Sequence, residues 1–598
     1  AMRSWCRWPT VASTSTLNLT GTTSETPTQG GDVTDIGAVR VTAPVLREVK
    51  TSEVGNTISL RQIQQLPQAT RNFLEFADVV PGMVFEIDGN GNTKLRGGAS
   101  NASAGNLYID GVGQKSYVRS GGIAGQADTQ GNPFPQLAVG EYKVITSNYK
   151  AEYGQISGAA ITAATKSGTN EFEGEVFYRF TDQDLREERP DEATSGKIDS
   201  QTKEYGFAFG GPILQDRLHF FVAYEGKENI VPKSVQADPS ALPYVGLLPA
   251  NLSSQYGAAN MPFEQDLVFG KLTFEAGEND RIELSTLYRD ETQTANVGGI
   301  NNIEQATEKL NTDKRTNLRW QHYSDNWINE LVVGTEDSSN NPNATSLGNG
   351  ILYKVLVPRA NSTDVDEYAF LATGPAGGLS VQNKSQKGWF LQNALTFTSF
   401  DWHGDHTIKM GFNYKDVELT SQDAASVNPQ FSYAVNAAGV AATPYRVDFV
   451  APYNTPGQRA TVVSPSKQYG IFIQDDWAVT DKLLINLGIR YDYEDTPAYT
   501  DFVTSQGIVD ALYGDDPDLP GQQPWANRLL PSGIDIADYI STGNNRDNFK
   551  DAWAPRFGFS YDFLGDETAV LHGGAARSYD RNLFEQLALE TSKAALSP

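Results

Sequence analysis

The chain has 598 residues, with 47 Lys plus Arg against 73 Asp plus Glu and a formal net charge of −26, which excludes a nucleic-acid binder driven by general attraction to phosphate. Hydrophobic residues make up 39% and charged residues 20%, and no stretch approaches the roughly 20 continuous apolar residues of a membrane-spanning helix. The 55 Gly, 26 Tyr, 28 Phe and 9 Trp beside a single Cys favour strands and tight turns, and they leave disulfides no part in the fold.

The opening residues AMRSWCRWPTVAST have no apolar core of the secretory-signal kind, and Cys6 lacks the small and aliphatic neighbours of a lipoprotein signal. Either the protein is not exported or its natural N-terminus lies upstream. Residues 1–34, rich in Thr, Ser and Gly, are expected to be a flexible segment, because they cannot bury enough apolar surface to offset ordering. An extended run, Ile36 to Thr42, follows and is closed by Ala43-Pro44. Residues 45–168 then read as a compact α+β domain. Leu60 to Leu66 and Asn72 to Val79 look like short helices ended by Pro67 and Pro81-Gly82. Thr93 to Arg96, Asn106 to Asp110, Glu141 to Ile145 and Ala159 to Thr165 look like short strands.

From residue 169 onward the pattern changes. In QTKEYGFAFG, Tyr205, Phe207 and Phe209 share one face while Glu204, Gly206, Ala208 and Gly210 share the other, a strict period of two. The same alternation runs through Leu483 to Glu494, with Leu484 as the exception, through His406 to Lys415, and through Arg556 to Phe563. Strands are predicted near 171–181, 201–213, 216–227, 264–276, 280–292, 310–323, 326–338, 386–400, 404–418, 466–480, 482–494, 552–564 and 567–579. The joins between them alternate between tight turns, such as Gly277-Glu-Asn279 and Ser324-Asp325, and long segments, such as 228–263, 339–385, 419–465 and 495–551.

Soluble β-sandwiches also alternate, but their strands average about five or six residues. These segments have the ten or so residues that a tilted membrane strand needs. Aromatic residues near strand ends, as at Trp477 and Tyr491 to Tyr493, fit interfacial girdles. The fold class is therefore mainly β: a transmembrane antiparallel β-barrel, turns in the periplasm and loops outside, behind the N-terminal α+β domain.

The ordered blocks Lys94-Leu-Arg-Gly-Gly98, Leu107-Tyr-Ile-Asp-Gly-Val112, Val139-Gly-Glu-Tyr-Lys-Val144, Ala151-Glu-Tyr-Gly154 and Gly158-Ala-Ala-Ile161 precede the barrel phrases Gly488-Ile-Arg-Tyr-Asp492 and Ala554-Pro-Arg-Phe-Gly558. In these blocks the chain resembles TonB-dependent outer-membrane receptors, and among them the Oar-like group, over roughly residues 35–581. The resemblance implies residence in the outer membrane of a Gram-negative bacterium and a non-enzymatic role without a cofactor. The implied activity is import of an extracellular ligand through the plugged barrel, energised by TonB and its inner-membrane complex. The alternative on the same architecture is a surface protein for adhesion, protein secretion or signalling. Outer-membrane lipid is the other implied partner; the ligand is left open between an iron chelate, a carbohydrate, a peptide or a protein.

The resemblance also assigns sites. Asp35, Ile36, Gly37, Ala38, Val39, Arg40, Val41 and Thr42, within 35–44, are similar to a TonB box, which pairs by strand addition; an ordinary linker is the alternative. Arg96, Gly97, Gly98, Asp110, Gly111, Glu141, Tyr153, Gly154 and Gly158 form the plug motif. The glycines are expected to supply backbone turns. Arg96 and Asp110 are expected either to pair with each other or to stand as solvated turn charges.

No nucleophile triad follows from five scattered His residues. Asp401-Trp-His403-Gly-Asp405-His406 holds metal-capable groups but falls in a predicted hairpin turn. Asp88-Gly-Asn90-Gly-Asn92 begins like a calcium loop, yet Thr93 and Ala99 stand where glycine and a carboxylate are needed, so a turn is expected and no metal is assigned. Family barrels have ~22 strands and about 13 are predicted here, with no terminal strand ending in Phe. The 169–598 region is therefore expected to be incomplete at its C-terminus and unable to close by itself.

Overall fold

The computed structural model describes residues 51–59, 62–63, 66–97, 100, 104–116, 129–188, 192, 196–359, 362–377, 383–422, 428–449, 461–515 and 521–580. The segments predicted over 1–34 and 35–44 lie outside these residues, as does Gly98. Seven short strands make the N-terminal domain: β1 (Val54–Ile58), β2 (Met83–Ile87), β3 (Thr93–Gly97), β4 (Asn106–Ile109), β5 (Val112–Gly113), β6 (Val139–Ser147) and β7 (Ala160–Thr165). They form a mixed sheet in the order β1-β6-β7-β4-β5, with β2 and β3 as a separate hairpin. The predicted helix at 72–79 is a 3-10 helix, Phe73–Val79, started by Asn72, whose side-chain oxygen accepts from the Leu74 amide. That helix buries Phe73, Leu74 and Phe76, and Phe73 meets Tyr142 of β6 edge-on at 5.6 Å.

The rest of the chain adds β8 (Glu173–Asp182), β9 (Gln201–Leu214), β10 (Leu218–Val235), β11 (Gly257–Glu275), β12 (Asp280–Ala295), β13 (Thr307–Tyr323), β14 (Trp327–Ala344), β15 (Gly350–Pro358) and β16 (Val365–Thr373). These are followed by β17 (Asn383–Asp401), β18 (Asp405–Gln422), β19 (Gln430–Asn436), β20 (Gly439–Val440), β21 (Arg446–Asp448), β22 (Thr461–Thr480), β23 (Leu483–Asp495), β24 (Trp553–Asp562) and β25 (Val570–Ala576). Thirteen of them pair antiparallel in one sheet from β8 to β25, leaving out β15, β16 and β19 to β21. Every strand predicted from the alternation is in that sheet, each joined to its sequence neighbour. Among the described residues β8 and β25 each have one partner, so the sheet is open at that seam.

Several strands run past their predicted ends on the long-loop side. The β10–β11 ladder continues to Val235 opposite Gly257, because backbone pairing outlasts the apolar alternation that marks the membrane. The long joins also hold structure that was expected to be loop. β15 pairs with β16, and β15 lies parallel to β19 from the next long join. Val355, Phe370 and Leu371 there pack with Ala241 and Leu252 into a separate outer core.

Burial along the thirteen strands is the inverse of a soluble protein's. Charged residues such as Glu225, Arg289, Glu291, Asp313, Arg315 and Glu336 are buried on the inner face. Val268, Leu284, Leu318, Ile471, Ile489 and Phe557 are exposed on the outer face. Only an apolar solvent outside and a filled polar interior make that pattern favourable. The inner charges are matched: Arg315 lies 3.0 Å from both Asp313 and Glu336, and Lys415 reaches Glu336 at 2.7 Å. Two aromatic belts border the apolar band. Trp389, Tyr414, Tyr469 and Tyr493 stand side by side across β17, β18, β22 and β23 near the long loops. At the short-turn end His406 stacks on Trp477 at 5.2 Å.

Candidate functional site: the plug–barrel contact

The N-terminal domain meets the inner face of the thirteen-stranded sheet along two kinds of contact. On the β9–β12 side an apolar cluster sits among polar contacts, with Asn132 and Gln265 exchanging two bonds at 2.9 Å and Lys227 donating to the Gln130 carbonyl at 3.1 Å. Phe134 packs on Phe269 at 5.0 Å, and Phe221 and Leu287 complete the cluster. Glu225 of β10 accepts from the Leu137 amide at 2.7 Å and pairs with Arg71 at 3.6 Å.

On the β18–β24 side the contact is almost wholly polar and is concentrated on one short segment, Tyr149 to Gly154. Arg490 of β23 is fixed by Asp492 (2.7 Å) and Asn413 (2.9 Å) and reaches the carbonyls of Ala151 (3.5 Å) and Glu152 (3.4 Å). Arg556 of β24 donates to the carbonyls of Tyr149 (3.1 Å), Lys150 and Tyr153 (2.8 Å). Gln474 of β22 grips Glu152 twice, accepting from its amide at 3.0 Å and donating to its carboxylate at 3.1 Å. Lys409 of β18 meets the other carboxylate oxygen at 2.5 Å, and Lys150 pairs with Asp476 at 2.8 Å. Burial alone would raise the Glu152 carboxyl, but the Lys409 ammonium, with Lys150 and the Gln474 amide, holds it below the ordinary glutamate range. The Lys150 ammonium is likewise held above its ordinary range, since Asp476 and Glu53 outweigh the burial that would lower it.

Gly154 belongs to this clasp through its lack of a side chain. A Cβ there would lie 2.6 Å from the Arg490 guanidinium. Tyr153 contributes its carbonyl and meets Tyr108 edge-on at 5.3 Å. Asp110 caps β7, accepting from the Thr165 amide (2.8 Å) and hydroxyl (2.7 Å), and faces Lys271 of β11 at 3.6 Å.

Arg96 does not pair with Asp110. Arg96 bonds Glu86 across the β2–β3 hairpin, because those two residues sit near each other on adjacent strands while Asp110 lies on the other sheet. The glycine expectation also changes. Of the described motif glycines only Gly111 has a left-handed backbone, at φ 77°. Gly97 and Gly158 serve close packing against Ala159 and Ala104. Glu141 is exposed on β6. Asp88 holds the β2–β3 turn by accepting from the Asn90 and Asn92 amides at 2.8 and 3.0 Å. His406 is engaged by Asp475 at 2.7 Å and the Trp402 carbonyl at 2.9 Å, within the short-turn belt.

The clasping residues Arg490, Arg556, Lys409 and Gln474 had no role in the sequence-based site. Their signal was present: each is a long polar side chain on the inward face of an otherwise apolar-alternating strand.

The family model for the outer membrane beta barrel domain matches residues 164–237 and 227–595. The chain belongs to the outer-membrane β-barrel domain family. The barrel accordingly resides in the outer membrane of a Gram-negative bacterium. It is 23% identical to the TonB-dependent transporter Oar of Myxococcus xanthus, over 83% of this chain and 51% of that protein, so it spans about half the length of the curated relative it matches. Among solved structures, the outer-membrane transporter YddB of Escherichia coli is similar with a TM-score of 0.60 and 14% identity, over 90% of this chain and 62% of that one. The siderophore receptor PirA of Acinetobacter baumannii gives 0.53 and 16%, over 90% and 62%. These likenesses support the plugged-barrel fold.

Proposed function

We propose that the protein is an energised importer: an extracellular ligand binds at the outer mouth, and TonB, pulling on residues 35–42, loosens the plug so that the ligand passes. The observation that carries this reading is the polar clasp on Tyr149 to Gly154. Hydrogen bonds and ion pairs exchange for water at a net cost of only about 0.5–1.5 kcal/mol each, so a clasp of this kind can open and re-form in a hydrated lumen. The apolar cluster of Phe134, Phe221, Phe269 and Leu287 on the opposite wall would keep part of the domain seated meanwhile.

The test is deletion of Asp35 to Thr42 in cells that carry the protein and its energising system. Surface binding of ligand should persist while accumulation is lost. Undiminished accumulation after the deletion would overturn coupling to TonB.

A further inference from the structure

At the outer end of the lumen, the turn of the β2–β3 hairpin meets the long-loop ends of β10 to β13, and a cavity of about 460 Å³ lies between them. We infer that this cavity binds an acidic carbohydrate, a sugar bearing both ring hydroxyls and a carboxylate; the inference rests on the importer reading and specifies its ligand.

Three observations lead to that class. The polar lining is built from side-chain amides, Asn90, Asn92, Gln293, Asn296 and Asn301, together with the hydroxyl of Thr307. Asn92 and Asn296 are held in place by Asp88, Gln293, Gln305 and Asn301, while the Asn90 amide nitrogen and Asn301 Oδ1 offer a donor and an acceptor of the kind that matches sugar hydroxyls. Secondly, two of these groups are incomplete. Gln293 and Thr307 are 1% and 0% exposed, yet Gln293 Oε1 and Thr307 Oγ1 have no hydrogen-bond partner. A buried polar atom left without a partner costs roughly 1–3 kcal/mol, and a ligand hydroxyl would supply what each lacks.

Thirdly, the charge is one-sided. Lys233 and Lys309 line the cavity and no carboxylate does, although the whole chain carries a net charge of −26. The nearby Asp88 is occupied within its own turn, by the Asn90 and Asn92 amides and the Asn92 side chain. Met261 and Val297 give the apolar patch on which the C–H face of a sugar ring can rest. No aromatic ring or guanidinium is in the lining, which disfavours a flat aromatic chelate.

The site is also connected to the plug. Lys233 Nζ donates to the Gly89 carbonyl (2.8 Å) and to Asn90 Oδ1 (2.9 Å), both on the plug hairpin. A carboxylate that draws Lys233 toward itself competes with those bonds, so an occupied cavity bears on the domain that must move.

The experiment measures binding of digalacturonate, and of neutral digalactose as its uncharged counterpart, to the protein in isolated outer-membrane vesicles without an energy source. Digalacturonate should bind about tenfold or more tighter than digalactose, the size expected for one charge-assisted contact. Thr307→Val removes an unpartnered buried hydroxyl while keeping the shape, so it should leave thermal stability equal or higher and yet weaken digalacturonate binding by about fivefold or more. Lys233→Gln should abolish the preference for the acidic sugar. Equal binding of both sugars, binding of neither, or a Thr307→Val protein that binds normally would each overturn the inference. Because no TonB is needed, digalacturonate that binds without energised accumulation sinks the importer reading and leaves the site standing.

Discussion

The Arg490 guanidinium fills the space that a side chain on Gly154 would need, with Cζ 2.6 Å from the position of a Cβ. Arg490 cannot easily withdraw, since Asp492 and Asn413 hold it from the barrel side. Gly154→Val should therefore separate the plug from β23 and cost about 1–3 kcal/mol, as overpacking does elsewhere. Faster proteolysis of the plug in outer-membrane vesicles, with the barrel fragment still intact, is the expected readout.

Arg556→Ala should be more damaging than its single charge suggests. The carbonyls of Tyr149, Lys150 and Tyr153 all accept from this guanidinium, and although the Lys150 carbonyl keeps the Tyr153 amide at 3.2 Å, three bonds are lost at once, at about 0.5–1.5 kcal/mol each. Arg556→Lys should restore only part of the loss, because one ammonium cannot span three carbonyls. The urea midpoint of plug release, followed by protease sensitivity, ranks the three proteins.

The clasp should weaken in acid. Glu152 has its carboxyl lowered from the ordinary value of 4.5, so its contribution is complete above that value and disappears as pH falls through the lower folded-state value. Plug release should rise as pH falls below 4.5 and through the lowered Glu152 value in the native protein. Glu152→Gln should be looser at neutral pH and should lack that acid-dependent component. A native protein and a Glu152→Gln protein with parallel pH profiles would contradict the assignment.

Asp110 combines a left-handed backbone, φ 48°, with two bonds to Thr165. Asparagine tolerates that backbone and keeps one acceptor, whereas alanine keeps neither advantage. Asp110→Ala should thus destabilise the plug by about 1–3 kcal/mol and Asp110→Asn by clearly less, as judged by protease-resistance midpoints.

The barrel was legible in the sequence because one physical rule, alternation between lipid and lumen, acts on every strand: the every-second-residue placing of Tyr205, Phe207 and Phe209 announces β9. The clasp was less legible. Glu152, Tyr153 and Gly154 stood out as a block, but their partners Lys409, Gln474, Arg490 and Arg556 lie some 250 to 400 residues away, and nothing local says which inward polar side chain meets which plug carbonyl. Arg96 shows the same limit from the other side. Its partner Glu86 is close in sequence, ten residues back, yet pairing it correctly requires knowing that β2 and β3 form a hairpin. The outer sheet was missed although β15 pairs with β16, and β19 with β20 and β21, inside their own joins; what no local pattern signals is the parallel pairing of β15 with β19, which needs two distant loops to meet.

That meeting has a mechanical consequence. β15 arises in the join between β14 and β17, and β19 in the join between β18 and β22, yet five consecutive residues of each pair in parallel, Gly350 to Lys354 with Gln430 to Ala434. Two loops that could each have swung on their own hinges share one set of degrees of freedom, so a cut in either should raise amide exchange in both.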